Sequence, residues 1–236
     1  MTSSTLRRVS RAPSAPFGSL STVRYTVNGV DFDMVRVPPG RFVDGGGAAR
    51  RELLVSRPFE IGVTPVTQAL WRAVMGSSPS EFRGEDRPVE QVSWDDAQQL
   101  MVALAQRGLL GFRLPTEAEW VWAARCGVPT RWAGADRVKV VAVVDSSQTV
   151  PVAGLSGAAV GTFDFSGNVF EWVDDWYGQL LPAGVDVQGL ASGSSRVIRG
   201  GCWRGVPLIA RVARRGSSGP DNCLDVLGVR LLRTAP

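Results

Sequence analysis

Three thiols, Cys126, Cys202 and Cys223, are the strongest nucleophiles in this 236-residue chain, and the chain contains no histidine. Without an imidazole there is neither a Ser-His-Asp triad nor a Cys-His pair to activate them. The acid pairs Asp95-Asp96 and Asp174-Asp175 are adjacent in sequence, so their side chains diverge instead of flanking a substrate. Gly45-Gly46-Gly47 lacks the following helix and lysine that a phosphate loop needs. Three cysteines make no disulfide framework and point to a reducing cytoplasm.

The elements that would position these groups are mixed. Residues 1–24 are rich in Ser, Arg, Pro and Ala, too poor in apolar side chains to offset ordering entropy, and read as a disordered basic tail before a domain spanning 25–236. Val30 to Val37 alternates as a half-buried strand does, Pro38-Pro39-Gly40 ends it, and Arg41 to Val43 resumes pairing. Leu53 to Gly62 alternates again. Thr67 is placed to cap a helix over Gln68 to Met75, with Leu70, Trp71 and Val74 on one face. Ser93 caps a second helix that Gly108 stops, and Thr116-Glu117-Ala118-Glu119 is a capping box for a third, ending near Arg125. Short strands, loops and glycines follow. The expectation is an α+β domain with few helices and a mainly antiparallel core.

The net charge of +4 is unevenly divided. Arg7, Arg8, Arg11 and Arg24 make the tail basic. Residues 196–233 hold eight arginines against Asp221 and Asp225, on an otherwise acidic body. A basic C-terminal segment favours an acidic ligand. The lysine-rich patch with interleaved aromatics of a nucleic-acid surface is missing, which argues against that partner. No apolar run reaches the roughly 18 residues of a membrane span, and the first residues lack the apolar core of a secretory signal.

Several separated stretches then combine. Arg113-Leu-Pro-Thr-Glu-Ala-Glu-Trp120, Gly161-Thr-Phe-Asp-Phe-Ser-Gly-Asn-Val-Phe-Glu-Trp172, Arg199-Gly-Gly-Cys-Trp203 and Gly228-Val-Arg230 occur in that order, with Pro38 to Phe42, Thr64 to Thr67 and Pro88 to Trp94 before them. In this the chain resembles the formylglycine-generating enzyme (sulfatase-modifying factor) family, which implies a C-type-lectin-like fold. The resemblance runs from about Asp33 to Arg233.

It also implies one structural calcium, held by carboxylates of Asp164 and Glu171 and carbonyls of Gly167 and Val169, a donor set suited to a hard cation. A second calcium site of the family falls near Val143 and Val144, which offer no side-chain oxygen. The family's oxidases bind copper with two cysteines shortly after the Arg-Gly-Gly turn. Here those positions are Gly205 and Ala210, so no copper and no catalytic residue are expected. The histidine-dependent iron chemistry of relatives on this fold is excluded likewise.

The stretch from Trp203 to Gly228 shows neither a helical nor a strand period. It resembles the diversified region, about 200–230, of the variable proteins of diversity-generating retroelements. Their adenine-directed mutagenesis, mostly at Asn-type codons, leaves the third base alone and so cannot yield Lys, Glu, Gln, Met or Trp. Residues 204–227 contain none of these five, which make up 29 of the 236 residues of the chain. The framework Trp203, Arg211, Ala213, Arg215, Pro220, Gly228 and Arg230 is retained. The expectation is a non-catalytic binding protein that contacts a protein or other macromolecular ligand through Arg204, Val206, Leu208, Ile209, Arg214, Ser218, Cys223 and Asp225. Two alternatives are an atypical oxidase using Cys202 or Cys223, and an undiversified accessory domain of a signalling or defence system.

Overall fold

A computed structural model describes residues 20–45, 50–125, 127–158 and 161–234. The tail reading falls mostly outside these residues, as do Cys126, Gly46 and Gly47. Its last residues, however, are ordered, because strand β1 (Thr22–Val27) begins inside the stretch read as tail. It pairs antiparallel with β2 (Val30–Val37) through the two-residue turn Asn28-Gly29, whose φ angles of 47° and 79° suit Asn and Gly.

Three sheets follow. β3 (Gly40–Asp44) and β4 (Arg51–Val55) form a hairpin that takes the two-residue β8 (Gly184–Val185) on its open edge. The main sheet orders β1 and β2 beside β5 (Phe59–Gly62), then β12 (Leu232–Thr234) and β6 (Phe112–Arg113). The last strand of the chain thus lies inside the sheet that the first two strands open. The third sheet, β10 (Gly216–Ser218), β9 (Arg196–Arg199), β7 (Phe170–Trp176) and β11 (Leu227–Gly228), carries the segment of interest. Pairing is antiparallel except at β11–β7 and β4–β8.

Local chemistry fixes the helices. In α1 (Gln68–Met75), Thr67 Oγ1 accepts from the Leu70 N–H, and Gly76 closes the end at φ 71°. In α2 (Trp94–Gln106), Ser93 and Asp96 exchange hydrogen bonds as a capping box. Thr116 and Glu119 do the same for α3 (Glu117–Arg125), whose Trp120, Val121, Trp122, Ala123 and Ala124 are all buried. A single turn, α4 (Val138–Val141), lies between α3 and β7. Trp120 and Trp122 anchor one core cluster with Phe59, Ile61 and Val173, while Trp71, Trp172 and Leu100 anchor a second under α1 and α2.

Candidate ligand face and its anchors

The face begins where β9 ends. Gly200 and Gly201 adopt φ of 94° and 77°, and a Cβ on Gly201 would lie 2.7 Å from Ala210 Cα, so this turn needs glycine. It is held from below by the Gly167 N–H on Gly200 O at 2.7 Å and by the Trp203 N–H on Asn168 O at 2.8 Å. Trp203 is buried edge-on against Phe82, and its indole N–H donates to Asp225 O at 3.0 Å, tying the start of the segment to its end.

Between these ties the backbone runs as a series of tight turns, the Gly205 N–H donating to Cys202 O and the Ile209 N–H to Val206 O. Neighbouring loops staple it. The Asp145 N–H donates to Gly205 O at 3.0 Å, the Trp132 indole to Pro207 O at 2.9 Å, and the Val212 N–H to Arg131 O at 2.9 Å. Further on, the Trp94 N–H donates to Pro220 O and the Gln91 N–H to Leu224 O.

Beneath lies a buried ion cluster. Glu117, fully buried at the start of α3, pairs with Arg199 at 3.1 Å and with Arg215 at 2.6 Å. Arg199 donates onward to Val212 O and Arg214 O, and Arg215 to Gly178 O and Gln179 O. Burial lowers the pKa of Arg199 from its usual value, the expected cost of desolvating a cation. One carboxylate therefore fixes two guanidinium groups, which in turn fix four backbone carbonyls around the face.

The structure brings the predicted contact residues together on this anchored segment. Arg204, Val206, Leu208, Arg214 and Cys223 are exposed, with Val206 at 60% and Leu208 at 54%. Ser218 and Asp225 are half-buried, and Asp225 pairs with Arg204 at 3.1 Å. Ile209 is also half-buried: it packs on the second core cluster and covers Gly205, where an added Cβ would meet Ile209 Cδ1 at 2.1 Å. Leu224, 43% exposed, was not among the predicted contacts. Its only signal was an apolar side chain in a loop-like context. The concavities of about 190 and 400 Å³ beside Thr67 and beside Arg113 are lined by no residue of 199–227. This face is therefore an open surface rather than part of either cleft.

Cys202 is buried and Cys223 exposed, and neither is bonded to another sulfur. Burial raises the thiol pKa of both, and Asp96, 3.9 Å from Cys223, raises that one further. Reactive thiolates need the opposite environment. Among the described residues no group of three or more thiol or carboxylate side chains converges as a metal site would.

The remaining predicted donors sit in the core. Both Glu171 oxygens accept from Arg230, at 2.7–3.0 Å, and Trp120 Nε1 also donates to Glu171. Arg230 reaches on to Gly62 O and Phe163 O. Asp164, at φ 59°, accepts one hydrogen bond, from the Ala153 N–H, and burial raises its pKa. Of these two carboxylates, Asp164 is the one whose charge is poorly compensated.

The profile of the sulfatase-modifying factor enzyme 1-like domain matches residues 26–235. The chain belongs to that family. Among its relatives is the formylglycine-generating enzyme of Streptomyces coelicolor, 32% identical over 194 residues, covering 72% of this chain and 60% of the enzyme. The serine/threonine-protein kinase pkn1 of Chlamydia caviae is 36% identical over 151 residues, covering 61% of this chain and 23% of the kinase. The chain thus spans less than two thirds of either relative. Among solved structures, Treponema denticola variable protein 1 superposes with a TM-score of 0.85 at 30% identity, covering 91% of this chain and 99% of that one. The family and fold read from the motifs are therefore established. No helix among the described residues is long and apolar enough to cross a membrane.

Proposed function

We propose that this family member is a non-catalytic binding protein that presents residues 204–227 to a macromolecular ligand, as a variable protein of a diversity-generating retroelement does. One observation carries the reading: Arg204, Val206, Leu208 and Arg214 project from a backbone pinned at every turn by groups that lie mostly outside the segment. Side chains held this way can be exchanged with little loss of stability, and a pre-ordered loop lowers the cost of binding. The oxidase reading has less support. Gly205 and Ala210 stand where the resemblance puts copper-binding thiols, Ala210 is fully buried, and both described cysteines have raised pKa values.

Two measurements test this. Oxygen uptake by the protein loaded with copper(I), in the presence of a cysteine-containing peptide, is expected to stay at the protein-free rate; turnover overturns the reading. Flanking DNA is expected to hold a repeat differing from codons 200–230 only at adenines, beside a reverse transcriptase gene. Binding without that repeat favours instead an accessory module, a reading supported by the stretch shared with the chlamydial kinase.

We propose, on the family resemblance, a calcium ion at the Asp164 end of this core corner, where a buried carboxylate accepts one hydrogen bond. Asp164 would supply the charge, Gly167 and Val169 carbonyl oxygens, and Glu171 one oxygen shared with Arg230. Its role there would be structural. Millimolar calcium is expected to raise Tm by about 1–3 °C, and Asp164→Asn to abolish the rise, because the ion adds a binding term to the folded state alone. An identical rise in the variant removes Asp164 from the site.

A further inference from the structure

The segment packed along one side of the ligand face lies outside 204–227, yet it extends that face. Arg131 is joined to Val212 by the 2.9 Å backbone bond, and the Arg211 guanidinium lies 5.6 Å from the Trp132 ring centre. Ala210 packs in one apolar cluster with Trp132 and with Val141 and Ala142 of the α4 region. On the same segment Arg131, Arg137 and Lys139 are exposed, and so is Val140. With Arg211 and Arg214 these are five cations that take part in no ion pair among the described residues.

The acids here do not balance them. Asp136 lies within the flank and keeps its charge while accepting from the Arg131 N–H, and Asp225 is held by Arg204. Exposed Asp136, Asp145 and Asp221 stand against the five, so the cations remain in excess. The result is an apolar patch, Val206 and Leu208, beside a positive flank of which Arg131, Arg137 and Lys139 lie outside residues 204–227. A nucleic-acid ligand fits this arrangement poorly. Trp132 and Trp203 are buried, and Phe82 and Trp94 beside the face are only half-exposed, a poor platform for stacked bases.

Resting on the binding role given above, we infer that residues 131–140 are a constant basic flank of the ligand face. The ligand is then a protein surface carrying an acidic run beside an apolar anchor. The anchor seats on Val206 and Leu208, where burial of apolar side chains supplies affinity. The acidic run meets the flank, where charge complementarity sets orientation and association rate.

A phage library of random dodecapeptides, panned on the full chain, tests this. Peptides whose capture is lost in a Val206→Ser/Leu208→Ser variant are expected to be enriched in Asp or Glu around one large apolar residue. Synthetic copies are expected to bind an Arg131→Glu/Arg137→Glu variant about tenfold more weakly, with a steep dependence on salt. Enriched peptides that need Val206 and Leu208 but are neutral or basic, or that bind the charge-reversed variant equally well, overturn the acidic assignment alone. Failure to enrich any peptide dependent on Val206 and Leu208 overturns the binding role itself. A 20-nucleotide single strand that displaces the peptides and itself binds more tightly than they do makes the ligand a nucleic acid and overturns the inference.

Discussion

Two sets of arginines divide this molecule. In the interior, Arg199, Arg215 and Arg230 are paired with Glu117 or Glu171 and each also donates to backbone carbonyls. On the candidate face, Arg211 and Arg214 have no carboxylate partner among the described residues, and Arg204, paired with Asp225, is half in solvent. The first set holds chain segments that are far apart in sequence, since Arg215 is 98 residues from Glu117 and Arg230 is 168 from Gly62. Of the second, only Arg211 reaches a distant segment, with its guanidinium 5.6 Å from the Trp132 ring centre. The same side chain thus serves as a fastener where it is buried and as a free contact where it is exposed. What separates the two is whether an acid was buried alongside.

The sharpest way to break this comparison is at Arg230. Arg230→Met leaves the Glu171 carboxylate buried with only Trp120 as partner, and should cost about 3–5 kcal/mol in urea denaturation. The double variant Glu171→Leu/Arg230→Met should recover part of that loss, because the unpaired charge goes too. A single variant as stable as the parent would mean that this pair fastens nothing.

Glu117→Gln should cost somewhat less, about 2–4 kcal/mol, since Arg199 and Arg215 keep their carbonyl partners. Its distinctive readout is local. Amide exchange should accelerate through 212–218 while the β1–β2 hairpin stays protected.

Asp175 sharpens the comparison through pH. It is buried and accepts from the Glu117 and Gly189 N–H groups, and desolvation pushes its pKa up to about 6. A carboxyl whose pKa is higher in the folded than in the unfolded chain binds more protons when folded. Its unfavourable contribution is complete above pH 6 and relieved as pH falls towards 4, by roughly 1–3 kcal/mol. Chemical denaturation between pH 7 and pH 5 should therefore show stability rising, with a flatter profile in Asp175→Asn. A profile that Asp175→Asn leaves unchanged would place the slope elsewhere.

The smallest effect is expected on the face. Val206→Ser and Leu208→Ser should change stability by less than about 0.5 kcal/mol, as exposed positions do. A larger loss would make these residues part of the core, and they could not then serve as exchangeable contacts.

Much of this was legible in the sequence because it is local. The caps at Thr67, Ser93 and Thr116 act within one turn of the residues they serve, and β2 spans the stretch its alternation marked. Leu53 to Gly62 read as one run but forms two strands. Pro58 has no N–H to give a ladder, and the backbone at Ser56 bonds Asp186 instead. Strand β1 was hidden by the arginine- and serine-rich stretch around it, although Asn28-Gly29 was a hairpin signal in plain view. At the candidate site, Arg204, Val206, Leu208, Arg214 and Cys223 of the residues named from the motifs are exposed, while Ser218, Asp225 and Ile209 are half-buried, Ile209 because it fills the space over Gly205. The Glu117 cluster was not legible at all. Nothing in the chain near residue 117 reveals that its partners lie 82 and 98 residues away.

The placement of β12 between β5 and β6 also bears on how the protein is made. The gap beside β5 cannot be filled until Leu232–Thr234 have been made, so the main sheet is completed only after residues 204–227. Residues 204–227 emerge just before that moment, while their support is still unfinished. A substitution in that stretch therefore first meets a scaffold whose main sheet still lacks a strand.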